Sequence, residues 1–445
     1  MKKNTKTLLV TAASVLAATV GLPNWFAARV ALAAEPPSSY VISGARIVTV
    51  TGPVIENGAV LISDGKVAAV GKAVQAPPGA QVIDAQGLSV YPGLIDSGTE
   101  VGLTEIESVA GTNDASEIGD NNANVHVDVA IRPDSSHVAV TRVNGITTVV
   151  TEPRGGVIAG TSSLIDLDGW VPKDMIVKSR LAMHINWPGD SPFGFEFAGF
   201  LDRTESVKKT RLANGKKIDE LKKVFEDAKA YSDAKEARIK DPSLPKQNLD
   251  LKLEALVPVV RGQMPVVILA ATERDIKNAI QFAEQMKIRM ILSGAVEAYK
   301  LADELKAKNI PVLVGPVIRM PEHMDDPYDM AYANAALLSK AGVKIAFETF
   351  ESAHVRDLPY NAGMAAAFGL PPEEALKAVT INPAEIFGVA SELGSIEPGK
   401  LANLIVTDGD PLEIRTQIKY LFIRGRQIPL TSRHTELYEK YKARP

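Results

Sequence analysis

Between residues 266 and 347 short apolar runs alternate with longer amphipathic segments at a nearly regular pitch, and few folds accept that pattern. Residues 266–269 read as a buried strand. Residues 273–286 follow as a helix, with Ile276, Ala279, Ile280, Ala283 and Met286 on one face at the spacing of a core-facing stripe. Strand 289–292, helix 297–308, strand 311–314, helix 329–341 and strand 343–347 continue the alternation. Such a repeat predicts an α/β fold, either a parallel barrel or a doubly wound sheet.

The ends of the chain differ from this middle. Residues 41–50, 59–63 and 66–70 read as strands, and Asp64-Gly65 between the last two is a hairpin turn, which needs positive φ at both central positions. Residues 401–407 and 418–423 read as strands again, punctuated by Gly409, Pro411 and an Arg424-Gly425-Arg426 tip. Two β-rich ends around an α/β middle predict one small β-sandwich built from both termini, residues 38–90 plus 393–430, around a barrel at 91–392. Residues from about 196 to 248 form a charged, Lys- and Glu-rich, helix-prone insertion closed by Pro242 and Pro245. It reads equally as a lid or packing arm and as a solvated helix pair.

With 445 residues, 46% hydrophobic and 23% charged, the chain is long enough to bury a barrel core and a smaller domain. Its formal net charge of -4 offers no basic stripe, so no nucleic-acid partner is expected. It has no cysteine, which excludes disulfides, thiolate nucleophiles and Cys-held zinc or iron. At the N-terminus Lys2, Lys3 and Lys6 precede an apolar run at 8–22, and Ala31-Leu32-Ala33 offers a small-residue cleavage site. Residues 1–33 therefore read as a secretory signal peptide, the run being short of the roughly 20 residues a spanning helix needs. The expectation is a periplasmic or secreted protein without stable membrane insertion.

Two stretches carry a resemblance. Tyr91-Pro92-Gly93-Leu94-Ile95-Asp96-Ser97-Gly98-Thr99-Glu100 is similar to the first-strand signature of the metal-dependent amidohydrolase superfamily, in its imidazolonepropionase/prolidase-like branch. Residues 393–406, from Leu393-Gly394-Ser395 through Leu404-Ile405-Val406, resemble that family's return into the β-sandwich, and residues 375–384 the stretch before it. The resemblance implies a TIM-like (β/α)8 barrel with a small β-sandwich domain built from both chain ends. It also implies divalent metal at the C-terminal mouth of the barrel, held by strand-end imidazoles and carboxylates, where it lowers the pKa of a bound water.

The implied ligand positions hold other residues. The two histidine slots of the first strand carry Gly98 and Glu100. The fifth-strand slot falls on Leu269-Ala270-Ala271-Thr272, the sixth on Gly294, and the eighth, where an aspartate would act as ligand and acid/base, on Phe350. The fourth-strand slot keeps His184, with Lys178 a poorer candidate. Glu100, His184 and Glu348 form a weak alternative set for a hard cation such as magnesium, calcium or manganese. Otherwise these strand-end glutamates are solvated or paired with Arg356 and Lys344. The segment 351–359 resembles an active-face loop of the family, and with it Glu100, His184, His354 and Arg356 are the ligand-binding candidates. Gly155-Gly156 and Gly160 lack the dinucleotide-binding spacing, and Ser162 and Ser163 lack a nucleophile elbow.

The leading expectation is thus a homologue whose metal site is degenerate, either non-catalytic or weakly so. It would bind a small polar or amide-containing ligand, and it would act alone, as a homo-oligomer, or beside an active amidohydrolase relative. No cofactor is expected under that reading. The rival is an active hydrolase of carbon–nitrogen bonds in cyclic amides or peptide-like substrates, with relocated carboxylate ligands and a divalent metal.

Overall fold

The computed structural model describes residues 39–189, 203–321 and 326–444. The signal-like segment at 1–33 lies outside them, as does the start of the charged insertion. The strands are β1 (Ser39–Ile47), β2 (Ile55–Ser63), β3 (Lys66–Gly71), β4 (Gln81–Asp84), β5 (Ser89–Pro92) and β6 (Leu94–Thr99). Next come β7 (Ile146–Thr151), β8 (Ile158–Thr161), β9 (Ser163–Asp166), β10 (Ile176–Lys178), β11 (Met183–Asn186) and β12 (Val266–Ala270). Finally β13 (Met290–Gly294), β14 (Val312–Val314), β15 (Ile345–Phe347), β16 (Leu404–Thr407), β17 (Ile418–Ile423) and β18 (Arg426–Ile428) complete the set.

Both chain ends meet in one eight-stranded sheet, ordered β18-β17-β16-β5-β1-β2-β3, with β4 against β1. The seam is β5 with β16, where Pro92 faces Leu404 and Val90 faces Val406. Asp64 and Gly65 turn the β2–β3 hairpin at φ 52° and 78°. Tyr40, Ile42, Ile62, Val406 and Phe422 pack the inner side as one apolar cluster.

The middle of the chain forms the TIM-like barrel. β11 to β15 lie in parallel sequence, β6 pairs parallel with β7, and a backbone bridge from Thr99 to Phe350 joins the two edges. One stave departs from the parallel expectation. β8 and β9 form a single kinked run that is antiparallel to β11 on one side and to β7 on the other. The helix Glu273–Met286 covers β12 and β13 as its periodicity predicts, with Thr272 Oγ1 accepting from the amide of Asp275 at 3.2 Å as its N-terminal cap. Residues 297–308, expected as one helix, divide into a 3-10 turn, Ala298–Leu301, and a short α-helix, Ala302–Ala307.

The charged insertion contains one helix of 38 residues, Arg203–Lys240, rather than a solvated pair. Leu221, Phe225 and Ala228 bury one stripe of it, and the Phe225 ring meets Phe282 edge-on at 5.2 Å. Phe282 in turn touches Trp187 at 5.7 Å, so the charged helix is anchored to the stave that carries His184. Among the described residues no helix is long and apolar enough to cross a membrane.

Candidate active site

The C-terminal ends of the barrel strands surround a cavity of about 910 Å³. Its wall is apolar on one side, with Trp187, Leu269, Ala270, Pro316, Ile318 and Phe350, and its charged groups are Glu100, Arg154, Asp275, Glu351, His354 and Asp357. This is the face where barrel enzymes place their chemistry, because the loops that follow each strand converge there.

Arg154 is the centre of the floor. It follows β7 by three residues, in Thr151-Glu152-Pro153-Arg154. Its Nε lies 3.3 Å from Glu100 Oε1 and its Nη2 2.8 Å from Glu152 Oε1. The guanidinium plane also sits over the Phe350 ring, 4.5 Å from the centroid. Phe350 itself adopts φ 65°, a left-handed conformation unusual for a bulky residue. That backbone is over-determined on both sides, since its amide donates to Gly98 O at 2.9 Å and its carbonyl accepts from the Glu100 amide at 3.0 Å. The eighth-strand slot therefore supplies a ring for a cation to rest on, and the backbone that closes the barrel.

Beneath Arg154 lies a buried acidic layer. Glu152 and Glu348 are almost fully buried, and a Cβ built on Gly98 would lie 2.9 Å from Glu348 Oε2 and 3.1 Å from both Glu152 oxygens. The first histidine slot is thus filled by two carboxyl groups, and any side chain at residue 98 would collide with them. Glu348 accepts from Ser293 Oγ at 3.0 Å and from the Gly294 amide at 2.8 Å. Burial, and then the charge of Glu152, push its carboxyl well above the ordinary range. Glu152 is raised to about 7 by burial against the lowering effect of Arg154, and Asp96, hydrogen-bonded to Thr349 Oγ1 at 2.6 Å, is likewise raised to about 7 by burial.

His184 Nδ1 stands 3.2 Å from Glu152 Oε2. Burial and the neighbouring Arg154 charge depress its pKa to about 3, so the ring is neutral. Among the described residues, both Glu152 oxygens, Arg154 Nη2 and His184 Nε2 find no hydrogen-bond partner, although Arg154 and His184 both stand against Glu152. Unsatisfied buried valences at this density are uncommon in structural cores.

The structure separates the sequence candidates. Glu100 and His354 line the cavity, and His184 lies below its floor against Glu152. Arg356 is not part of the lining; it sits in the turn Val355–Asp357, 3.8 Å from Asp357, and its carbonyl accepts from Asn144 Nδ2. Glu348 is paired with neither Arg356 nor Lys344, because it points inward to Ser293 while Lys344 binds Glu385 on the surface. Lys178 is exposed on β10, apart from the site. Sequence reasoning missed Asp96, Glu152 and Arg154. A signal was present for the last two, since a charged pair directly after the apolar run of β7 marks a strand end at the barrel mouth.

The donor set does not fit the divalent centre that the first-strand motif implies. Among the described residues no three His, Cys, Asp or Glu side chains are placed to hold one ion. The fixed charge of Arg154 already stands among the carboxylates that would ligate it.

Comparisons with known proteins agree with the barrel fold. The chain is 26% identical over 395 residues to an imidazolonepropionase of Geobacillus sp. (strain WCH70), covering 80% of this chain and 84% of that one. It is 24% identical over 428 residues to an imidazolonepropionase of Sphingopyxis alaskensis, covering 85% and 94%. The crystal structure of an amidohydrolase from Thermotoga maritima superposes with a TM-score of 0.76 at 26% identity, over 88% of this chain and 99% of that one. The amidohydrolase family model matches residues 180–428, more than half of the sequence, and the chain belongs to the amidohydrolase family.

Proposed function

We propose that the protein is a hydrolase of carbon–nitrogen bonds in small cyclic-amide or peptide-like substrates. The observation that carries this is the side-by-side placement of Glu100 and Arg154 on the floor of an apolar-walled cavity at the barrel mouth. The imidazolonepropionase relatives support the same reaction class.

The chemistry follows from the residues present. A carbonyl oxygen directed at the Arg154 guanidinium is polarised by a fixed positive charge in a site partly withdrawn from water, where such a charge acts strongly. Glu100, held by Thr104 Oγ1 at 2.8 Å, takes a proton from a water as its oxygen attacks the carbonyl carbon. The carbon–nitrogen bond then breaks, and the proton passes from Glu100 to the leaving nitrogen. The apolar wall of Trp187, Leu269 and Ile318 suits a ring or aliphatic body, while Glu351 and Asp357 at the rim suit an N–H or ammonium group.

Purified protein, assayed with and without chelator on imidazolonepropionate, hydantoins, dipeptides and N-acyl amines, is expected to turn over at least one class. Glu100→Gln and Arg154→Ala should each remove that turnover. No hydrolysis under any condition would sink the proposal.

A second reading, a ligand-binding homologue that does not turn over, rests on Gly98 and Phe350 standing at the first- and eighth-strand positions where the motif implies a histidine and an aspartate. Saturable thermal stabilisation by an amide ligand without product would select it. The basic and apolar N-terminus supports export, and an intact mass beginning at Ala34 in periplasmic material would test that.

A further inference from the structure

We propose that Arg154 is the resident cation of this barrel: its guanidinium stands among Glu100, Glu152 and the Phe350 ring, excludes divalent metal from the site, and covers a latent hard-cation site that its removal would open. The proposal does not depend on turnover, because it concerns what neutralises the floor of the cavity.

Four carboxyl groups, Asp96, Glu100, Glu152 and Glu348, converge at the mouth, and one permanent positive charge is set among them. Arg154 is in charge contact with two of them, at 3.3 Å from Glu100 and 2.8 Å from Glu152. A buried carboxylate without a counter-charge is costly, and Arg154 supplies that charge to Glu100 and Glu152, the two it touches. A guanidinium serves because it is always protonated and loses little hydration on burial. The Phe350 face holds it from one side. This also explains why the eighth-strand slot can carry an aromatic ring, since a ring stabilises an arginine and would offer nothing to a hard divalent ion.

The second observation is the set of unused valences. Glu152 Oε1 and Oε2 and His184 Nε2 are buried and receive no hydrogen bond from the described residues. The Glu152 and Glu348 oxygens meet at one point beside Gly98. Arg154 stands in charge contact with Glu152 at 2.8 Å without a hydrogen bond to its oxygens. With Arg154 shortened to a neutral side chain, Glu100 and Glu152 lose the charge they share, and carboxylate oxygens left so suit a hard cation such as magnesium, calcium or manganese.

Metal analysis and thermal melts on the full mature chain test this. Wild type, dialysed after exposure to manganese or zinc, should retain well under one equivalent, and its melting temperature should not respond to chelator or to either ion. Arg154→Met should melt lower in chelator, take up about one equivalent of manganese, and recover a few degrees of melting temperature with it. Adding Glu152→Gln to that variant should abolish the uptake. Arg154→Lys, which keeps a charge, should fold and still exclude metal, and it serves if Arg154→Met does not fold. A stoichiometric divalent ion in wild type that is lost in Glu152→Gln would overturn the proposal. So would an Arg154→Met protein that neither loses stability in chelator nor gains metal, or an Arg154→Lys protein that binds metal as readily as a neutral variant. These readouts are independent of the hydrolase assay, so failure of one reading leaves the other standing.

Discussion

Asp166 and Glu152 are both buried carboxylates on the β7–β9 strand pair, at opposite ends of it, and their surroundings could hardly differ more. Asp166 Oδ1 accepts from Thr148 Oγ1 at 2.8 Å and from Asn403 Nδ2 at 2.7 Å, and Oδ2 accepts from Arg424 Nε at 2.6 Å. The rest of the Arg424 guanidinium is used as well, on the carbonyls of Asp174, Met175 and Ile176. Asn403 completes the circuit by accepting the Arg424 amide at 2.8 Å. Glu152 also has an arginine within reach, yet among the described residues neither of its oxygens is hydrogen-bonded. A closed circuit at the bottom of a barrel ties the β-sandwich to it, whereas an open one at the top is left for a visitor. Two carboxylate–arginine pairs on neighbouring strands thus carry opposite meanings, and hydrogen-bond saturation tells them apart.

The largest effect should come from breaking the closed circuit. Arg424→Ala strands Asp166 without its cation among groups that cannot follow it, and removing one partner of a buried pair costs about 3–5 kcal/mol. Glu152→Gln at the open end should cost clearly less, since the Arg154 contact is lost but Arg154 keeps Glu100 and repulsion from Glu348 and Asp96 is relieved. Urea titrations of the two variants check the contrast, and equal losses would erase it.

A smaller effect concerns pH. Glu152 and Asp96, at about 7 in the folded chain, and Glu348, raised well above its ordinary value, hold protons that the unfolded chain has released. The folded state therefore binds more protons between about pH 4.5 and 7. Stability from these groups is full below the unfolded pKa and falls as pH rises through that window. His184 acts in the other direction: with its pKa depressed to about 3, its contribution is present above about pH 6.5 and is lost as pH falls. Arg154 and Glu100 face the same cluster and modulate both. Glu152→Gln should flatten the decline by up to about 1.4 kcal/mol per pH unit, the linkage of one proton. His184→Gln should steepen it between pH 5 and 6.5. Denaturant midpoints across pH 5 to 8 decide this, and parallel curves for all three proteins would show that the layer titrates as it does in the unfolded chain.

The fold was legible in the sequence because its signals are periodic or local. Ile276, Ala279, Ile280 and Ala283 announce a helix face by spacing alone, and Asp64-Gly65 announces a hairpin by backbone conformation. The antiparallel stave of β8 and β9 was not legible, because short buried runs carry no direction. The site was half legible. Glu100, His184 and Phe350 were found by comparison with a ligand pattern, and that pattern drew attention away from Glu152 and Arg154, which occupy no ligand slot. Arg356 was mistaken for a cavity residue because position within a loop does not say which way a side chain turns.

Arg356 gives the smallest effect and the finest test of where the open circuit ends. Its guanidinium is outside the cavity lining and lies 3.8 Å from Asp357, with side chains 38% and 33% exposed. Partly exposed pairs of this kind contribute within about 0.5 kcal/mol, so Arg356→Ala should leave the melting temperature and any ligand dissociation constant nearly unchanged. His354→Ala, on the rim between Glu351 and Asp357, should weaken binding modestly, because its ring meets solvent as well as the cavity. Glu100→Ala, on the floor beside Arg154, should weaken it most. Ligand titration by calorimetry on the three variants gives the ranking, which rises with depth below the rim. If Arg356→Ala instead proved as damaging as Glu100→Ala, the turn Val355–Asp357 would have to swing inward when ligand binds, and the open circuit would extend to the loop.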